Sequence, residues 1–563
     1  MKSKTSFFNL TAFKKNLLRF SPIWALYTIF LLVVFFGTTG QDSVYVARDV
    51  VYMIREMAPV NLIYGGICAM FLFGDLFNSR LCNALHAFPV RREGWLLTGI
   101  AAGILFSVVP NLLMCLVAST VLQQYTYLAF VWLAVSTLQF LFYFGTAVLS
   151  AMCAGNRLGM LAVYGIIQFI TVLVLGLAEM IYVPMLYGVK FDFSGATKAF
   201  PLGYMMSLDY LRVEYMHARL ELAFEGFCGA DWRYLALCAV AGVASMAGGW
   251  LIYRRRHLES AGDFIALRAL APVCLVIFSV GAGALLYAFA ELMDTPSYIF
   301  LTVGLVVGYF AGRMLLGRTL RVFHKKSLIG LAVLAVIFAG SLGLTWWDPL
   351  GISGNVPNVD EVQWAAVFDN GYIYEGSNSR AHFEITDSRE IAKLQSFHKE
   401  LLNRKGQSNS GHTNTIQIYY KLKNGKTVQR YYEIPHEGVL AEQAKMYFSD
   451  VRYLFKTNDP ETLYKTLGEV TIGYYTETTY EAENTSDRQI LTGLLDAIKA
   501  DCELGVMAQN WLHHDGKGEY HLSFTIKSQD DSYFHKWADM YITDDCKNTV
   551  AYLETILPLK IAE

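Results

Sequence analysis

The stretch CNALHAFPVRREGWLLTG, Cys82 to Gly99, sets a histidine, a proline and the pair Arg91–Arg92 in a short gap between two long apolar runs. A run of about 20 apolar residues covers the roughly 30 Å hydrocarbon layer as a helix. The gap therefore reads as the elbow of a helical hairpin. LCNALHAF is expected to form a short helix that Pro89 breaks, with Arg91 and Arg92 holding the re-entry point at the headgroups.

Outward from this elbow the pattern recurs. Candidate spans fall at about 20–38, 61–79, 95–119, 127–153, 159–187, 234–252, 269–292, 298–316 and 327–345, and beyond residue 346 no apolar run reaches spanning length. The expected fold is an α-helical polytopic membrane domain of about nine spans followed by an α+β domain. Charge divides at the same place: residues 1–345 carry 25 Lys+Arg against 16 Asp+Glu, and residues 346–563 carry 21 against 32. The basic residues sit in short loops between spans rather than along one soluble face, so they are topology signals and not a nucleic-acid surface.

With the N-terminus in the cytosol, the inner segments hold 18 Lys+Arg and the outer segments of the membrane half hold seven, as the positive-inside rule requires. Five of those seven lie in residues 188–233, the segment that fits the rule least. An odd number of spans then places the acidic C-terminal half outside. Lys14, Lys15 and Arg19 before the first span, and Arg254, Arg255 and Arg256 after the sixth, read as inner-surface anchors. FFNLTAFKKNLLR (residues 7–19) places Leu10, Phe13 and Leu17 on one helical face, which suits a helix lying in the inner membrane surface. No small-residue cleavage site clearly follows the first span, so it reads as a retained anchor. MMSLDYLRVEYMHARLELAFEGF (205–227) mixes charged and apolar residues at near-helical spacing and is expected to form a surface helix on the outer side.

GISGNVPNVD (351–360) reads as part of a linker over 346–360, and a weak repeat follows it. ITDSREIAKLQSFHKELLN (385–403) and NTSDRQILTGLLDAIKADCE (484–503) have matching helical openings, and each leads into a hairpin pattern, one turning at Asn424-Gly425 and one near Asp530-Asp531. Two β-α-β-β-α units, about 361–457 and 468–563, are expected.

Chemistry-bearing motifs are few. Nine cysteines include no CxxC pair; only Cys502 and Cys546 share the polar half, where a disulfide between them is one alternative. His513, His514 and Asp515 are adjacent in a Gly-containing turn and do not converge on one ion. No paired acid/base or metal set stands at a membrane face, which disfavours an integral-membrane enzyme. Asp75 and Glu179 are the acids most deeply placed in apolar runs, and such carboxylates line a path, gate it or pair with another helix.

LHAFPVRREGWLLTGIAAGILFSVVPNLLMCLV resembles the segment of ABC type-2 transporter permeases in which a cytosolic helix ends in an LP-(I/V)-x-R turn before the next span. The similarity extends to FLFYFGTAVLSAMCAGN (140–156) and YRRRHLESAGDF (253–264), and an outer α+β domain resembles one bacterial branch of the family. The resemblance implies a six-span core over 20–252 with three additional spans over 253–345. It also implies a coupling element at Leu85, His86, Phe88, Pro89, Val90, Arg91, Arg92 and Glu93, docked on a separate ATPase subunit. The chain departs from the family in having Phe88 where Leu is usual and Arg91 where Ser, Thr or Lys is common.

No G-x-x-x-x-G-K-(S/T) loop occurs in the sequence, so ATP and Mg are expected in the partner ATPase and no cofactor in this chain. The resemblance thus implies the permease subunit of an exporter in the bacterial plasma membrane, paired with itself or a related permease. The alternative is a mechanical signal transmitter that moves its outer domain without transport.

Overall fold

The computed structural model describes residues 8–38, 43–87, 90–122, 125–189, 199–208, 212–216, 219–223, 229–293, 295, 297–368, 384–404, 413–435, 438–455, 457–475, 480–508, 520–526 and 536–557. The chain divides into two compact units, residues 1–180 with 195–341 and residues 181–194 with 342–563. Most of the described structure is helical.

The first unit contains α1 (Leu10–Arg19), α2 (Ser21–Thr38), α3 (Ser43–Leu72), α4 (Ser79–Ala87), α5 (Arg92–Val121), α6 (Tyr127–Cys153), α7 (Arg157–Leu177) and the short α8 (Pro201–Met206). After a two-stranded hairpin come α9 (Gly229–Arg255), α10 (Ala271–Leu292), α11 (Ser297–Gly317) and α12 (Lys325–Trp347). Among the described residues, seven helices are long and apolar enough to cross a membrane, or eight if α1 and α2, bent by 54°, count as one. The expected second span, 61–79, is replaced by α3, which begins earlier and ends at Leu72. Arg55, Glu56, Pro59 and Asn61 dilute its apolar character, and α3 is not among the seven.

The segment 205–227 corrects a second expectation. It forms α8 and then the hairpin β1 (Arg212–Met216) and β2 (Arg219–Ala223), with Glu214 opposite Glu221, instead of one surface helix. RVEYM and RLELA alternate charged and other residues with period two; that strand signal outweighs the looser helical spacing of the longer window.

Helix α6 is the hub of this unit, with 61% of its apolar stretch inside the protein, whereas α12 buries none of its own. Lipid supplies little hydrophobic drive between helices, so close backbone approach and polar contacts hold them together. At the α6–α9 crossing a Cβ on Gly145 would lie 2.1 Å from the Gly242 carbonyl oxygen, so glycine permits the contact. Within the bundle Tyr27 donates to Asn61 Oδ1 (3.0 Å) and Asn61 Nδ2 donates to Gln139 Oε1 (2.8 Å), tying α2, α3 and α6. Trp132 Nε1 donates to Asn111 Oδ1 (3.1 Å), tying α6 to α5.

The second unit contains β3 (Val362–Phe368), α13 (Ser388–Leu402), β4 (Thr413–Leu422), β5 (Thr427–Pro435) and α14 (Val439–Phe448). The one-turn helices α15 (Val451–Leu454) and α16 (Leu463–Thr466) follow. Beyond them lie β6 (Leu467–Tyr475), β7 (Tyr480–Thr485), α17 (Arg488–Glu503), β8 (Tyr520–Ile526), β9 (Lys536–Ile542) and α18 (Lys547–Ile556). Two antiparallel sheets result, ordered β3-β4-β5 and β7-β6-β8-β9, each with its own apolar core. The second half therefore carries a strand, β7, that the expected β-α-β-β-α order lacks. YEAENT, 480–485, forms this strand by pairing antiparallel with β6.

Both long helices open alike, with Asp387 and Asp487 accepting from the backbone two residues on. The first hairpin turns at Asn424-Gly425, where Gly425 has φ +82°. The Asp530-Asp531 turn and His513, His514 and Asp515 lie outside the described residues. Cys502 and Cys546 are free thiols, not a disulfide.

His398 is fully buried between Tyr420 (3.2 Å) and Tyr432 (2.8 Å). Burial, helped by Arg430, lowers its pKa from 6.5 to about 4. The native state then binds fewer protons than the unfolded chain between those values, so stability falls as pH drops through that window. Acidification from pH 7 to 4 should cost this unit on the order of 3 kcal/mol through His398. Pulse proteolysis followed at peptides from 413–435 should show this slope, and His398→Gln should flatten it.

Candidate functional site

The three segments named by the resemblance meet at one end of the helical unit. α6 ends at Cys153, where the last carbonyls of a helix have no partner within it. Arg256, one residue past α9, supplies donors: Nη1 reaches Ala151 O (3.1 Å) and Met152 O (3.4 Å), and Nη2 reaches Leu76 O (3.2 Å). The planar guanidinium suits this task because its donors spread in a fixed fork. Arg256 is 8% exposed, so the expected surface anchor is instead a buried clamp joining α9, α6 and the turn Gly74–Phe77.

Around the clamp three of the expected coupling residues, His86, Arg92 and Glu93, engage the end of α9. Arg92 donates to Arg256 O (3.4 Å), and Glu93 pairs with Arg254 (3.5 Å), whose guanidinium lies 5.0 Å from the centre of the Trp250 ring. His86 Nδ1 is 2.7 Å from Cys82 O and its Nε2 is 3.0 Å from the Tyr253 hydroxyl. A carbonyl can only accept, so Nδ1 carries the proton. Burial lowers the His86 pKa, the bond to the Cys82 carbonyl opposes this, and Arg92 and Arg256 add to the lowering; in the neutral tautomer with Nδ1 protonated, Nε2 accepts from the Tyr253 hydroxyl.

The chain after α9 is fastened as well. Ala266 N–H donates to Cys153 O (2.8 Å), Gly262 N–H donates to Gly155 O (2.6 Å), and Ala154 bridges Ile265. Val90 is half-buried and Arg91 exposed. Phe88 and Pro89 lie outside the described residues, as does the Leu85 side chain.

Of the other expected residues, Lys14, Lys15, Arg19, Arg254 and Arg255 are exposed. Arg19 pairs with Asp75 (3.3 Å) at a half-exposed site, and such pairs contribute about 0–1 kcal/mol. Glu179 is exposed in a widened π-turn, Ala178–Tyr182, that ends α7. Neither acid joins the cluster around Arg256. Sequence reasoning missed Tyr253, the buried role of Arg256 and the Tyr27–Asn61–Gln139 chain. A signal for Arg256 was present: it continues the inward stripe Gly242, Met246, Gly249, Tyr253 of α9.

No group of three or more His, Cys, Asp or Glu side chains suited to a metal exists among the described residues. No protein-family model, curated protein or solved structure matches the chain.

The cluster joins the ends of α4, α6 and α9 and the start of α5, so force on one is shared by all. Arg256→Met should cost about 3–5 kcal/mol because buried carbonyls lose their donors, and Arg256→Lys should recover only part. Tyr253→Phe should cost about 1 kcal/mol. Thermal unfolding of the full chain in nanodiscs checks this order.

Proposed function

We propose that the chain is the membrane-spanning permease subunit of an ATP-binding-cassette exporter. On this reading nine helices span a bacterial plasma membrane with the N-terminus in the cytosol, and the C-terminal unit is a duplicated extracytoplasmic domain. Two copies, or one with a related permease, enclose the substrate path. A separate ATPase docks on residues 82–93 and supplies ATP and Mg.

The observation that carries this reading is the convergence on Arg256 of the elbow, the end of α6 and the start of the segment after α9. A push on the elbow reaches α6 through Arg92 and Arg256, and reaches α9 through Glu93–Arg254 and His86–Tyr253. The Gly145–Gly242 contact then makes α6 and α9 tilt together. A shape change of this kind favours one of two states and requires no covalent chemistry in this chain.

A photocrosslinking side chain at Arg91, used in native membranes, tests it. Adducts with a nucleotide-hydrolysing protein, together with loss of ATPase stimulation in Phe88→Ala, are expected. Labelling of Arg91→Cys by a membrane-impermeant thiol reagent from outside the cell would overturn the reading.

One observation favours the second reading, a mechanical transmitter. The chain leaving α7 is at once part of the second unit: Tyr431 N–H donates to Gly188 O (2.9 Å), Tyr187 donates to Leu401 O (3.3 Å), and the Tyr187 ring lies 5.5 Å from Tyr432. Gly188 has φ +72°, and a Cβ there would meet the Tyr432 ring. Movement of α7 is thereby linked to the outer unit by a covalent strap. If the transmitter reading holds, Gly188→Ala abolishes ATP-dependent motion of the outer unit, followed by a fluorophore pair in reconstituted vesicles. If the exporter reading holds, Gly188→Ala leaves ATP-dependent substrate movement in place.

A further inference from the structure

In the second unit, α13 turns its Ile391, Leu394, His398 and Leu401 side into the core. A different stripe, Glu390, Lys393, Phe397 and Glu400 at spacings of three and four, faces α14 across a seam. The seam opens into a groove of about 390 Å³, within the size range of small-molecule sites.

Its wall is apolar where Phe397 and Tyr447 lie 5.7 Å apart and inclined by 31°, and where Met446 is 74% exposed. At one end Arg452 is held by Asp450 (2.8 Å) and Glu390 (3.3 Å). Of the charged lining residues three are acids and two are bases, so the groove is acidic by one charge. Glu400 is exposed on its rim. Gln443 also lines the groove, and its Oε1 is shut from solvent and accepts no hydrogen bond among the described residues. A ligand N–H that draws this amide outward breaks no bond to that oxygen.

We propose that this groove binds a small organic cation with a flat apolar body. The body rests on Phe397, Tyr447 and Met446, and an ammonium group points to Glu400. An anion of the same shape meets Glu400 and the net acidic lining, which disfavours it. The inference does not rest on the exporter reading, because binding is measured on this chain with no ATPase and no transport.

The test uses the full chain in phosphatidylcholine nanodiscs, with empty nanodiscs as background. Saturation-transfer NMR titrations compare 3-phenylpropylammonium with 3-phenylpropionate, two probes of equal size and opposite charge. Saturable binding of the cation, about tenfold tighter than the anion, is expected. Glu400→Gln should reduce cation affinity about three- to fivefold, as for a rim ion pair. Met446→Arg, at an exposed position that folding tolerates, should reduce it tenfold or more. No saturable binding of the cation, equal binding of both probes, or unchanged cation affinity in Met446→Arg would overturn the proposal.

Discussion

A guanidinium closed over three carbonyl oxygens is the contact on which the end layer of the helical unit depends. A helix end leaves carbonyls open, and open carbonyls away from water are costly. Arg256 meets two of them on α6 and a third in the turn after α3. Once that side chain is committed, its neighbours on the same turn of α9 are committed as well: Tyr253 faces His86 and Arg254 faces Glu93. One residue thus sets the register of four chain segments.

Deeper in the unit a different constraint acts. Helices in lipid gain little from burying leucine against leucine, so α6 holds its neighbours by backbone contact at Gly145–Gly242 and by the Tyr27–Asn61–Gln139 chain. α12 shows the contrast: none of its apolar stretch is buried in the protein. Lipid can solvate such a helix, because every backbone group but those at its ends is bonded within it.

The second unit folds by the rules of soluble proteins. Each sheet buries one apolar face under helices, and two of the buried polar groups, Asp501 and His398, are paired across the fold. Asp501, fully buried, accepts from the backbone and side chains of Asn548 and Thr549 at the start of α18. That distant carboxylate does what a local cap would do, since the Cys546 side chain at the helix start makes no capping bond to the first N–H groups. His398 is satisfied by two tyrosine hydroxyls in the same way.

Apolar run length, the arginines that bound each run and the Asp caps of α13 and α17 were legible because they are local: each depends on residues within a few turns. The start of α3, the β1–β2 hairpin and strand β7 were not, since short mixed segments take the structure their pairing partner allows. Much the same holds for the candidate site. The sequence by itself determined seven of the lipid-length apolar runs and where charge interrupts them, because both are local properties of the chain. Only the tertiary structure decided that Arg256 is a buried clamp and not a headgroup anchor, because that outcome turns on carbonyls at Leu76, Ala151 and Met152. Those residues lie more than a hundred positions away in the chain.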